Sequence, residues 1–221
     1  MKIPQNKGHK GSLKSVQSLV NAHASILDRE IFAGLTLNCN KISWVSPLER
    51  DDYSEYRDEA FLEVLGLSRF NDKLRRFWPR SGPQWDALGR AAEDGPYFLV
   101  EAKANIPEIT SSLKASSETS VKLIRKSLGE TADYLGCRYG DLWENGFYQY
   151  ANRLAHLYLL RQVCGVEAYL VFLYFVGDTT HMPTSRERWS GALELQKSLL
   201  GLKRHRLSRF LTDVFIEIDE I

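Results

Sequence analysis

Apolar side chains recur along this chain at two spacings, which distinguish predicted helices from predicted strands. A spacing of three and four residues predicts a helix, and a short run of β-branched and aromatic residues predicts a strand. Helices are expected at 13–27, 51–66, 121–135, 147–163 and 188–202, and strands at 75–79, 84–88, 97–103, 168–176 and 210–218. The run 168–176 is nearly all apolar, which is typical of a central strand covered on both faces.

The order of these elements predicts one mixed α/β domain, in which helices flank a central mixed sheet. A helix precedes three strands, two helices follow, and a strand, a helix and a last strand complete the order. The predicted domain covers residues 46–221, and residues 1–45 form a helical N-terminal extension. Three roles are open for this extension: covering a site, capping the sheet, or forming the contact of a homodimer.

Composition excludes several classes of protein. Of the 221 residues, 43% are hydrophobic and 26% are charged, which does not fit a disordered, collagen-like or coiled-coil chain. The formal net charge is +1, so bulk charge identifies no partner. The three cysteines, Cys39, Cys137 and Cys164, are too scattered for a zinc site or a disulfide framework.

The most apolar segment, residues 154–176, is interrupted by charged and polar side chains such as Arg161 and Glu167. Charges at such depths are unfavourable in a bilayer, so no membrane span is predicted. The first residues also lack the apolar stretch of a secretory signal. We therefore expect a cytoplasmic protein that has no membrane partner.

Two acids and a lysine lie on two predicted strands, 84–88 and 97–103, that can pair with each other. Glu101 and Lys103 are two residues apart in one strand, so they share a face, and an antiparallel neighbour can bring Asp86 beside Glu101. Two carboxylates can hold Mg²⁺ or Mn²⁺, with waters completing the shell. A lysine can orient the attacking water or offset charge on a phosphate. The competing interpretation is a surface strand with an ordinary salt bridge.

Four strings, 46–48 (SPL), 52–58 (DYSEYRD), 82–86 (GPQWD) and 100–104 (VEAKA), resemble a bacterial branch of the PD-(D/E)xK nuclease superfamily. The resemblance covers roughly residues 45–180 and implies the restriction-endonuclease-like fold. It also implies Mg²⁺-dependent cleavage of DNA or RNA. Asp86 and Glu101 would then be metal ligands, and Lys103 would assist the nucleophilic water. Trp85 stands where the motif usually has proline, which leaves the acid itself unaffected.

Many members of this superfamily add an acid from the first core helix. Glu55, Glu59 and Glu63 follow one another at intervals of four in the predicted helix 51–66, so any of them could join the site. Glu55 and Glu59 are favoured as additional metal ligands, because the motif strings cluster around them.

Polar residues on the predicted helix 147–163 are further candidates, since several such nucleases place this helix beside the active site. They are Gln149, Asn152, Arg153 and His156. Gln149 and Asn152 are candidate nucleic-acid contacts, with a structural role equally open. His156 lies among leucines, which favours a half-buried structural histidine.

Basic residues are concentrated in two places. Lys203, Arg204 and Arg206 belong to the densest cluster, which could bind a phosphate backbone. A solvated helix end accounts for this cluster nearly as well. Residues 1–14 hold four lysines and no acid, and a solvated, frayed terminus is favoured there over a phosphate-gripping arm.

These features together predict a Mg²⁺-dependent nuclease, with Mn²⁺ as an alternative metal and DNA favoured over RNA. The main alternative is a catalytically silent module on the same fold that binds nucleic acid or protein. A sugar- or nucleotide-processing enzyme is disfavoured, because the sequence contains no phosphate-loop motif.

Overall fold

A computed structural model describes residues 1–91, 95–180 and 182–221, and a five-stranded mixed sheet forms its centre. The strands are β1 (Lys2–Ile3), β2 (Ser43–Ser46), β3 (Glu55–Tyr56), β4 (Ala87–Arg90), β5 (Tyr97–Lys103), β6 (Ser111–Ser112), β7 (Asn145–Gly146), β8 (Ala168–Val176) and β9 (Leu211–Glu217). The helices are α1 (Gly11–Ala22), α2 (Ala24–Leu35), α3 (Glu59–Val64), α4 (Asn71–Phe77), α5 (Glu118–Leu135), α6 (Tyr148–Tyr158) and α7 (Arg186–Leu199). The predicted α/β class with a central mixed sheet is confirmed.

The central sheet has the strand order β2-β4-β5-β8-β9. The β2–β4 and β4–β5 pairs are antiparallel, whereas β5, β8 and β9 run parallel to one another. All nine residues of β8 are buried, because the strand lies between two parallel neighbours and is covered on both faces. The bounds of β5 and β8 coincide with the predicted strands 97–103 and 168–176.

Helices cover the two faces of the sheet with separate hydrophobic clusters. Val100 and Val171 belong to a cluster with residues of α1 and α2. Leu99 and Phe172, their neighbours in sequence, belong to a cluster with residues of α3 to α7. This division follows from the alternation of side chains along a strand. The sheet is therefore the middle of three layers.

The segment assigned to an N-terminal extension covers one face of the sheet. It contains two helices, α1 and α2, separated at His23, where one helix over 13–27 is predicted. A Cβ atom added to Gly34 would lie 2.3 Å from Thr212 Oγ1, so a glycine lets α2 lie close against β9. The boundary proposed between residues 45 and 46 falls inside the edge strand β2.

The predicted helix 51–66 is wrong over its first half. Glu55 and Tyr56 form β3, which pairs with Ile3 and Lys2 of β1. The helix α3 begins only at Glu59. The partner strand lies more than fifty residues away in sequence, and the local spacing of apolar residues does not record such a pairing. The pattern therefore could not predict this strand.

The predicted strand 75–79 is also wrong. Its first residues belong to α4, and Leu74, Phe77 and Trp78 are buried at the spacing of a helix. The predicted strand 84–88 overlaps β4 only at its end.

The remaining elements agree with the pattern to within a few residues. α5 ends where Gly136 takes a positive φ, α6 continues through a π-helical turn at Leu159–Val163, and α7 and β9 match the last predicted helix and strand. Within the described ranges, no helix has both the length and the apolar character needed to cross a membrane.

His156 lies inside the aromatic core that supports α6. Its ring contacts Phe61, Phe77, Trp78 and Trp85, and the centroid of its ring is 4.9 Å from that of Trp78. Its Nδ1 lies 2.8 Å from the carbonyl oxygen of Asn152. Burial lowers the pKa of His156 to about 3, so the imidazole is neutral near pH 7. These contacts fit a structural role.

We predict that His156 makes stability depend on pH. Below about pH 6.5 the unfolded chain takes up a proton on this imidazole, whereas the folded chain takes none until about pH 3. The free energy of unfolding should therefore fall by about 1.4 kcal/mol per pH unit from this group as the pH decreases through that window. Urea unfolding at pH 5 to 7 measures the slope.

The variant His156→Gln should show a shallower slope than the wild type. Part of the dependence should persist, because burial also lowers the pKa of His205, to about 4. The exposed His9 provides a matched control, and His9→Gln should keep the wild-type slope. An unchanged slope in His156→Gln would show that this histidine is not the source.

Candidate functional site

A polar cavity of about 600 Å³ opens at the C-terminal end of β5. The residues that precede β4, the last residues of β5, the segment around β6 and the first turns of α6 form its wall. Asp86, Glu101 and Lys103 all line it, and so does Glu55. The structure therefore brings the two predicted acids and the predicted lysine into one cavity.

The pairing of β4 with β5 places Asp86 beside Glu101. Ala87 is the partner of Val100 in the antiparallel register, and the backbone N–H of Asp86 donates to the Val100 carbonyl at 3.2 Å. Oδ2 of Asp86 accepts a hydrogen bond of 2.7 Å from the backbone N–H of Ala102. This side chain is thus fixed against the strand that carries Glu101.

Glu101 lies between two cations. Its residue is only 2% exposed. Oε1 accepts from Lys103 Nζ at 2.5 Å, and Oε2 accepts from Arg153 Nε at 2.7 Å and from Arg153 Nη2. Burial alone would raise the pKa of Glu101, but the charges and hydrogen bonds of Arg153 and Lys103 outweigh it and lower this pKa. The carboxylate is ionised and paired.

Arg153, a candidate to which the sequence assigns no specific role, lies in the cavity wall beside Glu101. It is 3% exposed, and besides Glu101 it donates to the Gln84 carbonyl at 2.7 Å and to Asn152 Oδ1 at 2.8 Å. Its guanidinium lies 4.8 Å from the centre of the Trp85 ring. One signal pointed to it: Arg153 follows Gln149 by four residues and therefore shares its helix face.

The pKa of Asp86 is shifted in the opposite direction to that of Glu101. Burial raises its pKa well above the usual range, and the nearby charges of Glu101 and Glu55 raise it further. Lys103 and the Ala102 N–H oppose this shift only in part. Its Oδ1 accepts no hydrogen bond from any described residue. A cation placed at this oxygen would stabilise the ionised form.

Of the three acids predicted around the first core helix, only Glu55 reaches the cavity. It lies on β3, is buried, and accepts hydrogen bonds from the side-chain amides of Gln84 and Gln5. Burial raises its pKa, and the charge of Glu101 adds to this shift.

The assignment of Glu59 to the site is corrected. Its Oε1 accepts from Arg75 Nε at 2.6 Å, outside the cavity wall, and Glu63 is exposed. The reason is that Glu55 belongs to a strand, so the three glutamates do not form one helical stripe.

Asp86 and Glu101 carry carboxylate oxygens, the ligand type that a hard divalent cation takes in proteins. Mg²⁺ commonly takes one or two protein carboxylates and completes its shell with water and substrate phosphate. Oδ1 of Asp86 accepts no hydrogen bond from the described part of the chain, while Lys103 and Arg153 bind the two oxygens of Glu101. Across residues 1–91, 95–180 and 182–221, no group of three His, Cys, Asp or Glu side chains could hold a metal ion.

Gln149 and Asn152 both line the cavity, where each accepts a hydrogen bond from a basic side chain. Gln149 Oε1 accepts from Lys103 Nζ at 3.1 Å, and Asn152 Oδ1 accepts from Arg153. The structure therefore gives them a role in holding Lys103 and Arg153, and their contact with nucleic acid stays a prediction.

The cluster containing Lys203, Arg204 and Arg206 is not brought to the cavity. It precedes β9, whose first residue is level with Leu170 of β8, whereas the cavity lies towards the opposite ends of these parallel strands. Lys203 pairs with Glu194 at 3.2 Å. Any nucleic-acid contact of this cluster would be separate from the cavity.

No protein-family model, curated protein or solved structure matches this chain. A functional interpretation therefore depends on the side-chain chemistry of the cavity and on the motif strings themselves.

We predict that Arg153→Ala lowers the free energy of unfolding by about 3–5 kcal/mol, because it removes one partner of a buried ion pair. The exposed pair of Arg75 with Glu59 supplies the control, and Arg75→Ala should leave the free energy of unfolding nearly unchanged. Urea unfolding measures both. Equal losses in the two variants would contradict the structural importance of Arg153.

Proposed function

We propose that the protein is a nuclease that depends on Mg²⁺ or Mn²⁺ and hydrolyses phosphodiester bonds of nucleic acid, with DNA favoured over RNA. The observation that carries this proposal is the meeting of Asp86, Glu101 and Lys103 in one polar cavity at the end of β5. The resemblance of the motif strings to the PD-(D/E)xK superfamily supports it independently of the geometry.

Asp86 and Glu101 would hold the divalent cation, and Glu55 would add negative charge nearby. When bound, such a cation polarises the phosphate as a Lewis acid and lowers the pKa of a coordinated water. Asp86 is the stronger candidate as first ligand, because its Oδ1 has no partner among the described residues.

Lys103 would act on the water and the phosphate. Its ammonium group is held by both Glu101 Oε1 and Gln149 Oε1, so it can move away from Glu101 and remain bound to Gln149. In that position it would orient the attacking water and offset charge that develops on the phosphate oxygens. Water would form a new bond to phosphorus and release one proton to the solvent, the P–O bond to the leaving oxygen would break, and that oxygen would take a proton from the solvent.

Arg153 would act through Glu101 as a positioning residue. Three hydrogen-bonding directions of its guanidinium are already used by Glu101, Asn152 and the Gln84 backbone, so it is fixed before any ligand binds. A carboxylate held in this way needs little reorganisation when a cation arrives.

A second candidate is a catalytically silent module that binds nucleic acid or protein on the same fold. One observation favours it: both oxygens of Glu101 are bound by Lys103 and Arg153, which already balances its charge. Such a module would bind its partner equally well with and without Mg²⁺.

Calorimetric titration of Mn²⁺ and Mg²⁺ distinguishes these candidates. We expect the wild type to bind Mn²⁺, and Asp86→Asn, which is isosteric, to bind it at least about tenfold more weakly, since a neutral amide replaces the ligand of a hard cation. Circular dichroism should show the same fold for both proteins. Absence of Mn²⁺ binding at millimolar concentration in the wild type would favour the silent module.

Cleavage assays test the role of the lysine. We expect Lys103→Ala to lower the rate of DNA cleavage by about 100-fold or more, because a charge that stabilises the transition state is lost. Lys122, an exposed lysine that pairs with Glu118 on α5, gives the matched control, and Lys122→Ala should cleave normally.

A second variant, Lys103→Met, keeps the apolar stem of the side chain and guards against a folding defect. Its melting temperature should remain close to that of the wild type while cleavage is lost. Normal cleavage by a folded Lys103→Met protein would show that this lysine has no part in the reaction.

A further inference from the structure

Four basic residues that form no ion pair with the described residues lie in the walls of the cavity and its adjoining groove, or within two residues of them in sequence. They are Lys10, Lys14, Arg80 and Lys114, and all four are exposed. The acids inside the cavity would repel a phosphate backbone, so cations at its border would be needed to attract one. Two parts of the chain provide them.

The first part is the N-terminal segment, which is hydrogen-bonded to α1 through Gln17. The buried Gln17 side chain accepts from the Gly8 N–H at 2.7 Å and donates to the Asn6 carbonyl at 3.1 Å. A Cβ atom on Gly8 would lie 2.6 Å from the backbone nitrogen of Lys14, so this glycine allows the chain to fold back tightly on itself. The Gly11 N–H donates to a threonine hydroxyl beyond β8 at 3.2 Å.

This segment borders the cavity. Ser12 is part of the cavity wall, and Lys10 and Lys14 lie two residues to either side of it. Gln5 reaches the cavity acid Glu55 with its side-chain amide, at 3.4 Å. The backbone of this segment is thus hydrogen-bonded to the side chain of Gln17, and the exposed Lys10 and Lys14 extend from it.

The second part is a groove of about 360 Å³ that continues the cavity. Trp78, Ser81, Lys114 and Tyr148 line both spaces, so the two are contiguous. Arg80 also lines the groove. The exposed side chains of Arg80 and Lys114 thus extend positive charge outward from the cavity.

We propose that Lys10, Lys14, Arg80 and Lys114 bind the backbone phosphates on a nucleic-acid strand whose scissile phosphate lies in the cavity. This inference rests on the proposed nuclease function and assigns the substrate contact to the cavity border, in place of the Lys203 cluster at the other end of the sheet. Contacts of this kind recognise the phosphate backbone and carry no sequence preference by themselves.

Binding measured by fluorescence anisotropy tests the assignment. A labelled DNA duplex, the single strand and an RNA of the same sequence are titrated in EDTA, so that cleavage does not interfere, over a range of salt concentrations. We expect Lys10→Ala/Lys14→Ala and Arg80→Ala/Lys114→Ala each to weaken binding about tenfold. Each should also reduce the slope of the logarithm of the binding constant against the logarithm of the salt concentration. The expected reduction corresponds to the loss of about two phosphate contacts. The probe whose affinity falls most in these variants identifies whether the surface binds duplex DNA, single-stranded DNA or RNA.

Lys203→Ala/Arg204→Ala is the charge-matched control and should bind like the wild type. The assignment is overturned if the control alone loses affinity, if both border variants bind normally, or if the wild type binds none of the probes. Melting curves confirm that each variant is folded.

The outcome separates this inference from the nuclease proposal. Unchanged binding by the border variants, together with lost cleavage in Lys103→Ala, would refute the contact surface and leave the nuclease intact. Weakened binding by the border variants, with no cleavage by the wild type under any divalent metal, would retain the surface and favour the silent module.

Discussion

The buried ion pair between Glu101 and Arg153 constrains the whole functional site. An uncompensated carboxylate inside a protein is strongly destabilising, and at the buried end of β5 the charge of Glu101 is compensated by a guanidinium from α6 together with Lys103. The same guanidinium donates to the Gln84 backbone and lies over the Trp85 ring. One side chain thereby ties the sheet, a helix and the chain before β4 to a single geometry.

This constraint leaves a specific charge imbalance in the cavity. Glu101 is balanced by Arg153 and Lys103, whereas Asp86 has a raised pKa and an oxygen that no described side chain uses. Within the described residues, both oxygens of Glu101 therefore have partners, whereas only one oxygen of Asp86 does. That asymmetry supports a divalent cation at Asp86, and it equally explains why a silent module would keep the same pair at Glu101.

Basic residues around the cavity would offset the negative charge of the acids inside it. Acids confined to a concave wall repel polyanions, and exposed lysines and arginines at the border would reverse the sign of the field that an approaching phosphate meets. The N-terminal segment contributes to this border because Gln17 holds its backbone in place. Residues 1–45 therefore supply both a layer of the sheet's cover and part of the cavity's surroundings.

The sequence by itself determined what depends on neighbours along the chain. Alternation in β5 put Glu101 and Lys103 on one face, and the apolar run of β8 marked the centre of the sheet, because a strand's side-chain period is local. Only tertiary structure decided that Glu55 belongs to a strand and reaches the cavity, and that Arg153 pairs with Glu101. Both depend on contacts across about fifty residues, which no periodicity records.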